Sequence, residues 1–254
     1  MLATLRPSLA DTSGDMEQEI TWRRGKYPKQ DAALEERWVT YNRANPRSET
    51  KTVQRGLNDC DIHYINLAKR EDRRQQIEKE FAKAGISHYA RFEARENERG
   101  SIGCAQSHRD LIASVTPHPD RLTMVCEDDC EFLASRAEID AAINAFANDE
   151  RLSVLCLAYA AKNGIGISDL LAISSNLKTT ACYIFKPAVA DDLRDCFDES
   201  FHRLSQGERD KTAAIDVRWR DLQAKYFFAL PIKRALRQRR SYSDIVNRKV
   251  FYRV

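Results

Sequence analysis

Apolar residues along this chain follow two rhythms: short unbroken runs, and longer stretches in which they recur every third or fourth position. The first rhythm predicts buried strands, the second amphipathic helices packed on them. DIHYINL, residues 61 to 67, reads as the first strand, with Asn66 near its end. KREDRRQQIEKEFAKAG follows as a helix with Ile77, Phe81 and Ala84 on one stripe, Asp72 near the positive end and Gly85 as the stop. Ile86 to Phe92 reads as a second strand. In RENERGSIGCAQSHRDLIASV, Gly100 and Gly103 are read as turn residues and Ser101 as a cap, while Cys104, His108, Leu111, Ile112 and Val115 recur at helical steps.

The run LTMVCEDDCEF, Leu122 to Phe132, is the central feature. Leu122, Met124, Val125 and Cys126 form an apolar strand that ends at three adjacent acids, Glu127, Asp128 and Asp129. Downstream, RAEIDAAINAFA reads as a helix and SVLCLAY as a buried strand. GIGISDLLAISSNL is read as an irregular excursion, since Gly164 and Gly166 do not complete a dinucleotide fingerprint. TTACYIF is a further strand, Pro187 opens the helix PAVADDLRDCF, and another helix covers Ala213 to Tyr226. Strands alternating with helices predict one α/β domain, a mixed and mostly parallel sheet flanked by helices. Residues 1–58 read as an N-terminal extension, partly helical over 32–44 through Leu34, Trp38 and Tyr41 and packed on the main domain of residues 59–254.

Composition narrows the function. Among 254 residues, 31% charged, basic and acidic groups nearly cancel to +3, which argues against an obligate nucleic-acid binder. Seven cysteines without CxxC spacing read as reduced thiols of a cytoplasmic protein. Cys126 and Cys130 flank the acids, but a zinc site needs more Cys or His at ligand spacing. No apolar run reaches membrane-spanning length, and Pro7 with early acids interrupts any signal-peptide core. The C-terminal stretch is basic, with Lys233, Arg234, Arg237, Arg239, Arg240, Arg248, Lys249 and Arg253 among Tyr242, Phe251 and Tyr252; it offers a peripheral contact to anionic lipid, or ordinary solubility.

Strand-end acids are often only a solvated loop or a helix cap. At the carboxyl edge of an open α/β sheet, though, ligands bind, and clustered oxygens suit Mg²⁺ or Mn²⁺ holding a diphosphate. Three such acids repel one another, so a positive group is expected among them. A histidine on a buried stripe, as His108 is, is ordinarily a satisfied core residue.

Three motifs in order resemble glycosyltransferase family 25, the group containing bacterial lipopolysaccharide galactosyltransferases and collagen galactosyltransferases. They are Ile65, Asn66, Leu67, Arg70, Asp72 and Arg73; then Gly103, Cys104, Ser107 and His108; then Glu127, Asp128, Asp129 and Phe132. Weaker likeness continues through TTACYIFKPAVADDL, IDVRW with Asp216, and Pro231, Gln238, Ser243 and Ile245, covering residues 61 to 246. The resemblance implies a GT-A-like nucleotide-sugar fold and metal-dependent, inverting transfer, often of galactose, from a UDP-sugar to a saccharide or lipid-linked acceptor of a lipopolysaccharide or surface polysaccharide. It implies Asp128 and Asp129 at the metal. Asn66, Leu67, Arg70, Arg73, Ser107 and Glu127 would face the nucleotide, Asp216 would be the base, and His108 would be a site residue of open role. Rival readings are a metal-dependent phosphohydrolase or nucleotidyltransferase, and a non-catalytic binder of sugar nucleotide or partner.

Overall fold

The computed structural model describes residues 31–45, 53–115, 118, 120–239, 241–243 and 248–250; for the last two stretches only the backbone is considered. The expectations for residues 1–30 and for the end of the basic stretch, Arg240, Tyr242, Arg248, Lys249, Phe251, Tyr252 and Arg253, fall outside the described side chains.

A sheet in the order β2-β1-β3-β8-β5-β9-β7-β6 forms the middle layer. Its strands are β1 (Cys60–Asn66), β2 (Ala90–Glu93), β3 (Leu122–Glu127), β5 (Leu152–Ala160), β6 (Ile165–Gly166), β7 (Leu171–Ser174), β8 (Lys178–Phe185) and β9 (Phe227–Pro231). β1 pairs in parallel with β2 and β3, and β5 with β9; β8 runs against its neighbours β3 and β5, and β7 against β9 and β6. All strands but β8 and β7 therefore share one direction, the mixed, mostly parallel α/β sheet expected.

Both faces are covered, so the central strands are apolar throughout rather than alternating. Met124 and Cys126 of β3 point to one face with α1 (Ala32–Ala44), α2 (Glu71–Lys83) and α4 (Arg136–Ala147), which contribute Trp38, Phe81 and Phe146. Val125 points to the other, under α3 (Gly100–Ser114), α5 (Ala190–Ser205) and the short helices α6 (Asp210–Ala213), α7 (Ile215–Arg218) and α8 (Arg220–Lys225). β4 (Cys130–Phe132) pairs with β10 (Leu236–Gln238) beside the acids, and β11 (Ser241–Ser243) pairs with β12 (Arg248–Val250).

Several sequence expectations need correction. The second strand starts at Ala90 rather than Ile86. Gly85 has φ +66°, its N–H bonds the Ala82 carbonyl, and the Ile86 N–H bonds the Phe81 carbonyl at 2.8 Å. That is the six-to-one closure that ends a helix, and it leaves Ile86 packed as part of the cap. The supposed excursion contains β6 and β7, an edge pair docked on β9 with all four residues of β7 buried. Pro187 opens a 3₁₀ turn, and α5 then runs on to Ser205. The helix expected over 213–226 is broken into pieces at Ala214 and Trp219, which lets the Trp219 indole drop into the core and donate to the Leu177 carbonyl at 3.0 Å.

α1 buries Leu34 and Trp38, while Tyr41 stays exposed at its edge. Trp38 meets Phe227 edge-on at 4.9 Å, Tyr41 does so at 5.3 Å, and Arg37 donates to the carbonyls of Gln223, Ala224 and Tyr226 that the end of α8 leaves open. Trp38→Ala is expected to lower unfolding free energy by about 3 kcal/mol in denaturant titration and to raise hydrogen exchange across α1. A loss below about 1 kcal/mol would show that α1 is only loosely attached.

Candidate functional site

β3 ends at Glu127, and Asp128 and Asp129 make the tight turn into β4. The positive group expected among these acids is Arg73, on the first turns of α2. Its guanidinium Nη1 lies 2.9 Å from Asp128 Oδ1 and 3.7 Å from Asp129 Oδ2. Asn66, at the end of β1, donates from Nδ2 to the other oxygen of Asp128 at 2.8 Å and to the Arg70 carbonyl at 3.0 Å, and its Oδ1 accepts from Arg91. Asn66 and Arg73 are thus buried ties that hold the acid turn to β1, β2 and α2. Asp128 has both oxygens engaged, which leaves it poorly placed to ligate an ion. The Leu67 carbonyl closes the turn to the Arg70 N–H, and Arg70 pairs with Asp72 at the surface.

Asp129 differs. Its Oδ1 is buried with no hydrogen-bond partner. Burial, then Glu127, raise its carboxyl to about 7, with Arg73 and Gln238 pulling the other way. Burial also raises Asp128, against Arg73 and Asn66. Glu127 lies below the usual carboxylate range: burial opposes its charge, but His108, Thr180 and Arg73 outweigh it. The Gln238 amide donates to Glu127 Oε2 at 3.4 Å, and the Arg239 N–H bonds the Asp129 carbonyl at 2.6 Å, so β10 closes over the turn from the far end of the chain.

On the other side stands α3. Gly100 and Gly103 lie inside this helix rather than in a turn, and Ser101 donates to Asp210 instead of capping. A Cβ on Gly103 would meet the Arg95 carbonyl at 2.5 Å, so the close approach of helix and loop requires glycine. The Ser107 hydroxyl accepts from the Arg95 N–H at 2.7 Å and donates to the Gly103 carbonyl at 2.6 Å, stapling the same loop. Both of its roles are internal. His108 is buried, its ring stacked on Tyr183 and set against Phe197; Nδ1 is 3.0 Å from Tyr183 Oη and Nε2 is 3.5 Å from Glu127 Oε1. Ligating atoms of Cys104, His108 and Glu127 lie within 4.8 Å of one another. Desolvation, with Glu127, Asp216 and Asp129 adding, pushes the Cys104 thiol well up.

Asp216, on α7, lies within electrostatic reach of Glu127. Burial raises its carboxyl, Lys178 lowers it and Glu127 raises it further, while the Thr179 N–H donates to it. Thr179 has φ 71°, a left-handed conformation that a β-branched residue adopts only under strain. The kink turns one amide toward Asp216, and the next residue, Thr180, donates its hydroxyl to Glu127 at 3.3 Å. Gln238 had a sequence signal in the closing motif, and Thr179, Thr180 and Tyr183 lie in the weaker likeness of TTACYIF, which gave them no site role; β8 carries them here with a register against β5 that shifts after Cys156.

The basic C-terminal stretch is partly folded into this edge. Lys233 pairs with Glu138, Arg237 with Glu131 and Arg239 with Glu80, and Arg234 donates to the Tyr159 carbonyl. These four are engaged within the fold rather than forming a free polybasic tail. Among the described residues no helix is long and apolar enough to cross a membrane.

A pH dependence follows. Asp129 in the folded protein titrates above its ordinary 3.8, so it binds its proton more tightly folded than unfolded. Its contribution is therefore lost as pH rises from about 4 to about 7 and is constant above that. In chelator, Asp129→Asn is expected to gain stability over the parent by a margin that grows across that interval. Equal urea midpoint differences at pH 4 and pH 8 would show that Asp129 is not held in this way.

No protein-family model matches the chain, and no curated protein matches it in sequence, so the likeness to glycosyltransferase family 25 rests on its motifs. Among solved structures it is similar to the CTP:phosphocholine cytidylyltransferase of Streptococcus pneumoniae, with TM-score 0.37 and 12% identity over 91% of this chain and 92% of that one.

Proposed function

We propose that this protein is a metal-dependent glycosyltransferase that moves a sugar, galactose being the one its motifs imply, from a UDP-sugar to a saccharide acceptor of a lipopolysaccharide or surface polysaccharide, with inversion. The observation that supports it best is Asp129. A buried carboxylate oxygen without a partner, at the carboxyl end of the central strand, is costly unless a cation or donor meets it in the working state. Oxygen donors of this kind fit Mg²⁺ or Mn²⁺. Asp129 is the residue to hold the ion; Asp128, engaged by Arg73 and Asn66, positions the turn instead of ligating. When bound, the ion would neutralise charge developing on a nucleoside diphosphate leaving group.

The other roles follow from placement. Asp216 is the base that takes the acceptor hydroxyl proton: burial raises the proton affinity of its carboxyl, and the Thr179 N–H steadies its orientation. Glu127, whose charged form is favoured by His108 and Thr180, keeps a partly exposed side chain and is the acid we assign to the donor's hydroxyl groups. Arg70, half-buried on the turn after β1 and paired with Asp72, is the cation we assign to a phosphate.

A panel of sugar nucleotides, with and without Mn²⁺, tests the reading. Metal-dependent binding of one UDP-sugar, with slow UDP release abolished in Asp129→Ala, is the expected result. Absence of binding by every sugar nucleotide with any metal would sink it in favour of a non-catalytic partner-binding role. Asp216→Asn is expected to lower kcat by about 100-fold or more with donor affinity unchanged; an equal loss in donor affinity would make Asp216 a binding residue.

A further inference from the structure

Cys104 and His108 stand one helical turn apart on the same face of α3 and look toward the end of β3, where Glu127 completes a group of one sulfur, one nitrogen and one oxygen donor. That donor set is unlike the all-oxygen turn at Asp129. From it we infer that Cys104, His108 and Glu127 form a binding site for a borderline-soft divalent ion of the zinc type, distinct from the hard-cation position at Asp129.

Geometry supports the site in three ways. His108 Nε2 is buried and has no hydrogen-bond partner, while its Nδ1 is anchored by Tyr183 Oη at 3.0 Å. A ligating imidazole characteristically donates its second ring N–H to a partner that orients the ring; in the tautomer with Nδ1–H donating to the Tyr183 oxygen, the Nε2 lone pair is left for the ion. The separation of Nε2 from Glu127 Oε1, 3.5 Å, is long for a hydrogen bond. Two ligands each bound to a tetrahedral zinc at about 2.1 Å lie about 3.4 Å apart, so the gap is that of ligands flanking an ion. All three donor atoms fall within 4.8 Å of one another, close enough to share one ion.

Charge balances as well. Binding forms the metal–sulfur bond as the Cys104 S–H proton leaves to solvent, so a divalent ion meets one thiolate, one carboxylate and a neutral imidazole. Three protein ligands leave a fourth position open. Glu127 keeps part of its side chain exposed, which suits a site where the ion also meets water or substrate. This inference does not rest on the transferase reading.

The test is titration of chelator-treated full-length protein with Co²⁺ alone, followed by Zn²⁺ competition. A thiolate-to-cobalt charge-transfer band saturating at one ion per chain is expected, bleached by Zn²⁺ and accompanied by release of a proton. The band should vanish in Cys104→Ser, with Zn²⁺ affinity falling at least about 10-fold, and persist in Asp129→Ala. A missing band in the parent protein, or one that survives Cys104→Ser, overturns the site. If Cys104→Ser loses its far-ultraviolet dichroism, Glu127→Gln decides instead: it must weaken Zn²⁺ at least about 10-fold, and unchanged affinity overturns the proposal. A cobalt band in a protein that binds no sugar nucleotide would uphold this site and refute the transferase reading, so the two fail separately.

Discussion

Arg73 is the charge on which the acid turn depends. Glu127, Asp128 and Asp129 lie side by side where a fully buried strand ends, and their mutual repulsion alone would force the turn outward or leave the acids protonated. The guanidinium of Arg73 meets Asp128 directly and Asp129 at longer range, with Asn66 closing the remaining oxygen of Asp128. A buried pair of this kind adds little net stability over an apolar packing, but breaking one half of it is costly. Its value here is positional, because it locks the turn to β1 and α2 and leaves Asp129 as the acid with an oxygen to offer.

Around that lock the fold gathers three further layers. α3 brings His108 and Cys104 against Glu127, the kinked start of β8 supplies Thr179 and Thr180, and β10 returns from the end of the chain to set Gln238 over the acids. Each comes from a separate part of the sequence. The site is thus a meeting of strand ends and one helix face, and its carboxylates differ in proton affinity because they differ in partners: Glu127 has donors enough to stay charged, whereas Asp129 does not.

Much of the architecture was legible from local pattern. β3, β5 and β8 are unbroken apolar runs because helices cover both sheet faces, and α2, α3 and α4 show stripes because only one side of each is buried. Gly85 marked the end of α2 for a local reason, its positive φ. The misreadings were of elements whose reason is distant. β7 is too short to show a period and exists because β9 lies beside it; Gly103 looks like a turn residue until the Arg95 carbonyl is seen against it; the break at Trp219 serves a bond to Leu177.

By itself the sequence determined the alternation of strands and helices, the acids at the end of the central strand and the need for a cation among them, since each follows from neighbouring residues and the period of the backbone. Tertiary structure alone decided which cation it is, that Asn66 and Ser107 are ties within the fold, that Lys233, Arg237 and Arg239 are paired within it, and that a cysteine and a histidine of α3 share a corner with Glu127. Those outcomes depend on contacts between residues far apart in the chain, and no spacing along the sequence encodes a distance that only the sheet order creates.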